Sequence, residues 1–249
     1  MVSSTAGPGG RPVPPRARTG LFHFAILLPD RPSLGRFLAH AAAIGLRLGA
    51  GDHLVSESLY LQDPDGLGIE VYADRPRASW RRVGRELMMA TDPLDMAGLA
   101  RDGGASPWSG MPAGTGMGHL HLHVGDLERG AAFYSGALGL DRMVWSYPGA
   151  LFLAAGGYHH HLGTNVWAGR GASPAPADEA QLLHWTVELP DAASVGAAAE
   201  SLEAAGAPLR WLDDAPGGEA FETRDPWDTA LHVRVAPAPA GRAPAPSPA

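Results

Sequence analysis

An α+β fold built from repeated βαβββ units is the architecture this sequence predicts, and three observations carry the prediction. One segment pattern recurs along the chain, histidines alternate with apolar residues where the middle copy opens, and the two ends are rich in Pro, Ala and Gly. The recurrence can be followed residue by residue. His23-Phe-Ala-Ile-Leu-Leu-Pro-Asp30 lies over His184-Trp-Thr-Val-Glu-Leu-Pro-Asp191, and Asp63-Pro64 with Ile69-Glu70-Val71 lies over Asp225-Pro226 with Leu231-His232-Val233. His119-x-x-Leu122-x-Val124-x-Asp126-Leu127 opens the same pattern again. A supersecondary unit repeated in this way decides the architecture before any single element does.

Residues 1–19 and 236–249 hold almost no large apolar side chain, too few to offset ordering entropy, and read as disordered tails. Residues 20–76 read as one unit. Phe22–Leu28 is an apolar run stopped by Pro29-Asp30, a buried strand. Leu34–Gly45 carries apolar residues at helical spacing and ends on a glycine. Val55–Gln62 and Gly68–Ala73 are strands joined by the turn sequence Asp63-Pro64-Asp65-Gly66. Residues 77–117 read as a linker with one helix, Pro93–Leu99. The second unit spans 118–169: strand Gly118–Val124, Asp126 capping a helix Leu127–Leu138, then strands near 142–147, 150–155 and 158–166. The third, 182–235, repeats the plan around an Ala-rich helix 192–205.

Composition removes several function classes. A formal charge of −7 argues against nucleic acid, which requires a clustered basic face. The cluster Arg75, Arg77, Arg81, Arg82, Arg85 reads as a solvated linker. With no cysteine, disulfides, thiolate metal sites and a cysteine nucleophile are excluded together, so a bound metal has nitrogen and oxygen ligands. No apolar run approaches the roughly 18 residues of a membrane span, and no leader-like segment opens the chain, so the expected address is cytoplasmic with no membrane partner.

Histidine is the residue type that stands out. Side chains two apart on a strand share a face, so His119, His121 and His123 point one way while Leu120, Leu122 and Val124 point the other. A solvent-facing strand with incidental histidines is the plainer alternative. Thr, Lys or Glu are commoner there, which favours a polar cavity. Glu70 interrupts an apolar strand, where a carboxylate is costly unless paired or bound to metal. Its register against His232 puts a coordinating residue type at the same place in two copies. Two histidines and one carboxylate on one face of a metal leave the opposite face open, a geometry suited to chelating a vicinal diol and admitting dioxygen.

The opening signature, the helix after Asp126-Leu127 with Phe133-Tyr134, the Leu138-Gly139-Leu140 stop and the Asp-Pro-Asp-Gly turn before Ile-Glu resemble modules of the vicinal oxygen chelate superfamily. Gly51-Asp52-His53-x-Val55-Ser56-Glu57-x-x-Tyr60 through Asp74-Arg75-Pro76, with Gly156-Gly157-Tyr158-His159-His160-His161, resembles its bacterial catechol 2,3-dioxygenase-like proteins. The resemblance runs from Gly20 to Val235. It implies half-barrels closed by paired modules, and a ring-cleaving extradiol dioxygenase acting on a small aromatic diol and dioxygen. Fe(II) is the metal it implies first, with Mn(II), Zn(II) and Ni(II) as alternatives. His23 and Glu70 become metal ligands, His53 an acid/base group and Tyr60 a hydrogen bond to substrate. Such proteins carry four modules and this chain carries three, lacking the first. By that count unit 20–76 is left unpaired with an open sheet edge, and a homodimer exchanging modules is one way to complete it. By the same count 118–169 and 182–235 pair as a complete domain, 118–235, which then holds its own set, His119, His184 and His232, with His121, His123, His159 and His161 toward the substrate pocket. The same modules also serve glyoxalase-like isomerases or lyases and non-catalytic binders of the bleomycin-resistance kind, so the fold cannot choose among them.

Overall fold

A computed structural model of the protein describes residues 2–5, 11–213 and 219–237. In chain order it contains β1 (Val2–Thr5), β2 (Arg18–Leu27), α1 (Arg31–Ala43), β3 (Gly49–Asp52), β4 (Ser56–Gln62) and β5 (Gly68–Asp74). The short strands β6 (Arg82–Val83) and β7 (Glu86–Leu87) and helix α2 (Met96–Gly103) follow. Next come β8 (Gly116–His123), α3 (Leu127–Ala131) continued as a π-turn over Ala132–Ala137, β9 (Asp141–Val144), β10 (Ala150–Ala154), β11 (Leu162–Asn165) and β12 (Ser173–Pro174). The last segment is β13 (Gln181–Leu189), α4 (Ala192–Ala204), β14 (Leu209–Trp211), β15 (Ala220–Arg224) and β16 (Ala230–Val235). The aspartate that recurs in the sequence has one job in all three places. Asp30, Asp126 and Asp191 accept backbone N–H groups of Ser33, Arg129 and Ser194 and so cap α1, α3 and α4.

The main sheet runs β3-β4-β5-β2-β8-β11-β10-β9, with β12 added to β2. Its two halves mirror each other about the antiparallel β2–β8 pair, since β5 joins β2 and β11 joins β8 in parallel. This is a half-barrel, and its chemistry lies at the seam. Leu120, Leu122 and Val124 face the core shared with α4, Phe221 and Leu231, while His119, His121 and His123 face the other way, as alternation requires. A second core gathers α1, α2, β4 and β5 around Leu34, Phe37, Leu59 and Val71.

The structure corrects the expected pairing of units. The segment 20–76 is not left unpaired: β2 lies against β8, so its edge is covered by the same chain. Residues 118–235 therefore do not close on themselves as one half-barrel. Their first part completes the barrel with 20–76, and 182–235 forms a separate sheet, β1-β13-β16-β15-β14, packed against the first through apolar side chains. The physical reason is register, because β2 and β8 each present an apolar face to a core and a histidine face to one cavity. The repeat itself persists in the pairing, where Thr186 opposes His232 as Ala25 opposes Glu70.

The tail expected at 1–19 is in part ordered. Val2–Thr5 pairs with β13, and Arg11 and Arg18 bond to Asp178 and Glu179. The far tail lies outside the described residues from 238 onward. The linker 77–117 carries β6, β7 and a helix three residues later than expected, started by Asp95 accepting from Gly98 N. Among the described residues, no helix is long and apolar enough to cross a membrane.

Candidate metal centre

Ala25 makes the centre possible. It sits between Glu70 on β5 and His119 on β8 in one row across the sheet, and its methyl leaves the two long side chains room to meet. His23 is one pleat away on the same face. Register shifts between Leu21 and His23, a β-bulge with Phe22 as the extra residue, and the Phe22 and His23 rings, tilted 45° to each other, both line the cavity side. His23 Nε2 lies 2.9 Å and His119 Nε2 3.2 Å from the same atom, Glu70 Oε2. One donor atom from each residue falls within 4.8 Å of the others, and all three residues are buried.

His23 Nε2 is off the hydrogen-bond line to Glu70 and has no hydrogen-bond partner despite its burial, and His119 Nδ1 and His121 Nε2 are also unpartnered. Buried polar atoms without partners are rare, and the unpartnered His23 Nε2 beside the Glu70 carboxylate and the His119 imidazole fits a divalent cation. Ser58 Oγ donates to Glu70 Oε1 at 2.6 Å, leaving Oε2 as the ligand atom and fixing its orientation. Burial works to raise the Glu70 pKa, but His119 and His23 hold it well below the usual carboxylate range. Burial pushes His119 down to about 4, so it is neutral and ligand-ready at pH 7.

A cavity of about 320 Å³ opens beside these donors, lined by His53, Tyr60, Met89, Tyr147, Phe152 and Trp167 among others. Ala90 O lies 2.7 Å from His53 Nδ1 and can only accept, so Nδ1 carries the proton and Nε2 offers its lone pair. Tyr60 OH donates to that Nε2 at 2.5 Å. Burial, then the charge of Glu70, raise the Tyr60 pKa well above its ordinary value, so it stays a donor.

Of the residues singled out from sequence, His23, Glu70, His53, Tyr60 and His121 line this cavity, and His119 closes the donor set behind it. The set His119, His184, His232 is not assembled. His184 and His232 stack on each other at 4.1 Å on the other sheet, where Glu222 bonds His232. The expected strand at 158–166 begins only at Leu162, so alternation does not apply to the three preceding histidines. His160, not His161, faces the cavity, His161 is exposed, and His159 turns to Asp74 at 2.9 Å. His123 bonds Asn165 and lines a neighbouring cavity. Ser58 was legible by alternation with Tyr60 on β4. The Ala90 carbonyl carried no sequence signal, because its role depends on where a loop passes.

These features define a class. The chain belongs to the glyoxalase/bleomycin resistance protein/dioxygenase superfamily, whose family description matches residues 116–233. It is 46% identical over 218 residues to catechol-2,3-dioxygenase of Bacillus subtilis (strain 168), covering 86% of this chain and 74% of that one. A solved structure of a putative dioxygenase from Bacillus subtilis subsp. subtilis str. 168 superposes with a TM-score of 0.58 at 12% identity. That superposition covers 88% of this chain and 63% of the solved one, and speaks for the fold alone.

Proposed function

We propose that this chain is a metal-dependent enzyme that opens the ring of a catechol-type diol with dioxygen at the centre formed by His23, Glu70 and His119. The observation that carries the reading is the convergence of two buried imidazoles on one buried carboxylate oxygen, next to a cavity sized for a small aromatic ring. The 46% identity to a catechol-2,3-dioxygenase points the same way. Fe(II) fits the reaction first, with Mn(II) as the nearest substitute and Zn(II) or Ni(II) suited to non-redox chemistry on the same donors. Bound there, a redox-active divalent metal would chelate the two diol oxygens and couple them to dioxygen, both of whose atoms end in the ring-opened product.

The protein's own part is positional and protonic. Met89, Phe152 and Trp167 wall the cavity with apolar surface, which holds a flat ring and excludes water. His53 Nε2 is the basic atom on this wall, its tautomer set by Ala90 O, and it accepts a diol proton directly or through the Tyr60 hydroxyl. Tyr60, protonated, then donates to the oxygen that gains charge.

The test is anaerobic loading with Fe(II), elemental analysis, then addition of catechol and air. Close to one iron per chain and an oxygen-consuming ring-fission product support the reading. A folded chain that holds iron yet consumes no oxygen with catechol contradicts it.

A further inference from the structure

We propose that Asp74 and His159 are positioning residues for the reaction, holding the His160 imidazole in the tautomer that carries its proton on Nδ1 and leaves a bare Nε2 for the diol cavity. This rests on the reading of the metal centre and deepens it. Asp74 is the last residue of β5, four places beyond Glu70, and His159 and His160 stand in the turn before β11. Asp74 Oδ1 lies 2.9 Å from His159 Nε2, and His159 Nδ1 lies 2.7 Å from His160 Nδ1. Both histidines are buried. The His160 ring lies 4.0 Å from that of His119 and 4.9 Å from that of Phe152, in the wall of the cavity beside the metal centre.

The direction of each bond follows from what the groups can do. A carboxylate only accepts, so His159 Nε2 carries a proton, and a neutral ring then has Nδ1 as its one acceptor. His160 Nδ1 therefore donates to it. Burial pushes the His160 pKa well below its ordinary value, so the neutral ring keeps a lone pair on Nε2, an atom without a hydrogen-bond partner among the described residues. A second chain of donors ends on the same carboxylate. Tyr158 OH donates to Asp74 Oδ1 at 3.2 Å, which leaves Tyr72 OH to donate to Tyr158 OH at 2.8 Å. Room for this chain is built in, since a Cβ on Gly118, the neighbour of His119, would collide with the Tyr72 hydroxyl. The cavity so gains a second acceptor, besides His53 Nε2, for a hydroxyl of the bound diol. The lock also spans the sheet, because Asp74 belongs to one half and the two histidines to the other. A His159 protonated on both nitrogens would reverse the second bond and put the His160 proton on Nε2, blocking that acceptor.

Long-range proton–nitrogen NMR correlations on the full chain, isotope-labelled at histidine, read the tautomer directly, with His160→Gln assigning the signal. The native chain is expected to show His160 with a protonated Nδ1 and a bare Nε2. That pattern persists in Asp74→Asn, whose amide oxygen still accepts, and in Tyr158→Phe, which removes only the other bond to Asp74. Asp74→Ala frees the pair and mixes the two tautomers. A native His160 protonated on Nε2 overturns the lock whether or not any variant folds, and so does an unmixed Nδ1–H signal in Asp74→Ala. On Fe(II)-loaded protein, kcat with catechol is expected to fall about tenfold or more in Asp74→Ala, with iron content unchanged and KM within about twofold. It is kept in Tyr158→Phe and largely restored in Asp74→Asn. Mixed tautomers with unchanged kcat overturn the positioning role. A native Nδ1–H signal without ring opening keeps the lock and removes the dioxygenase reading, and ring opening with the proton on Nε2 does the reverse.

Discussion

Glu70 answers two demands with one side chain. Oε1 takes the Ser58 hydroxyl, and Oε2 faces His23 and His119, so the carboxylate stays ionised although it is buried. Glu70→Gln keeps the shape and the serine contact but loses the charge, and bound metal by elemental analysis is expected to fall about tenfold or more. The same residues set a pH dependence. His119 is held at about 4, His121 and His160 well below their ordinary value by burial, and Glu70 below its own. Each group then binds fewer protons folded than unfolded, so stability rises with pH across that window. The urea midpoint of metal-free protein should be level above pH 7 and fall between about 6.5 and 4, and a level midpoint there would refute the burial argument. At this scale Glu70 was legible, because a carboxylate inside an apolar strand is conspicuous, whereas the roles of His23, His53 and Tyr60 came from the family resemblance. Which histidine supplied the third donor was not legible, since that depends on which strands meet.

Glycine marks where elements touch most closely. Gly35 on α1 and Gly103 on α2 meet backbone to backbone, and a Cβ on Gly35 would collide with Leu99 O and the Gly103 amide. Alanine in a helix interior ordinarily gains about 0.5–1 kcal/mol over glycine. Overpacking against unyielding backbone costs about 1–3 kcal/mol and wins here. Gly35→Ala should therefore lower the urea midpoint, and a raised midpoint would mean the helices slide apart freely. The capping aspartates and strand periods were legible element by element. The 158–166 strand was misjudged because Tyr158–His161 form a turn held by side chains, Tyr158 to Tyr72 and His159 to Asp74, partners about 85 residues distant.

For the whole molecule, the repeat announced α+β units with a shared plan, and the half-barrel follows from it. The module count of the resembled family suggested that neighbours in the chain, 118–169 and 182–235, pair with each other. The structure instead joins β2 to β8 across the 88 residues from Leu28 to Thr115, because those two strands turn histidine faces to a common cavity. A metal held by His23, Glu70 and His119 then ties both halves of the sheet together. At a free metal concentration of 100 times Kd it should add about 2.7 kcal/mol to unfolding stability, seen as a metal-dependent rise in the urea midpoint. The most direct test compares metal content in His119→Ala and His232→Ala, purified and loaded with Fe(II) alongside the native chain. One iron per native chain, lost in His119→Ala and kept in His232→Ala, is the expected result. Iron kept in His119→Ala but lost in His232→Ala would place the centre on the other sheet and contradict the account.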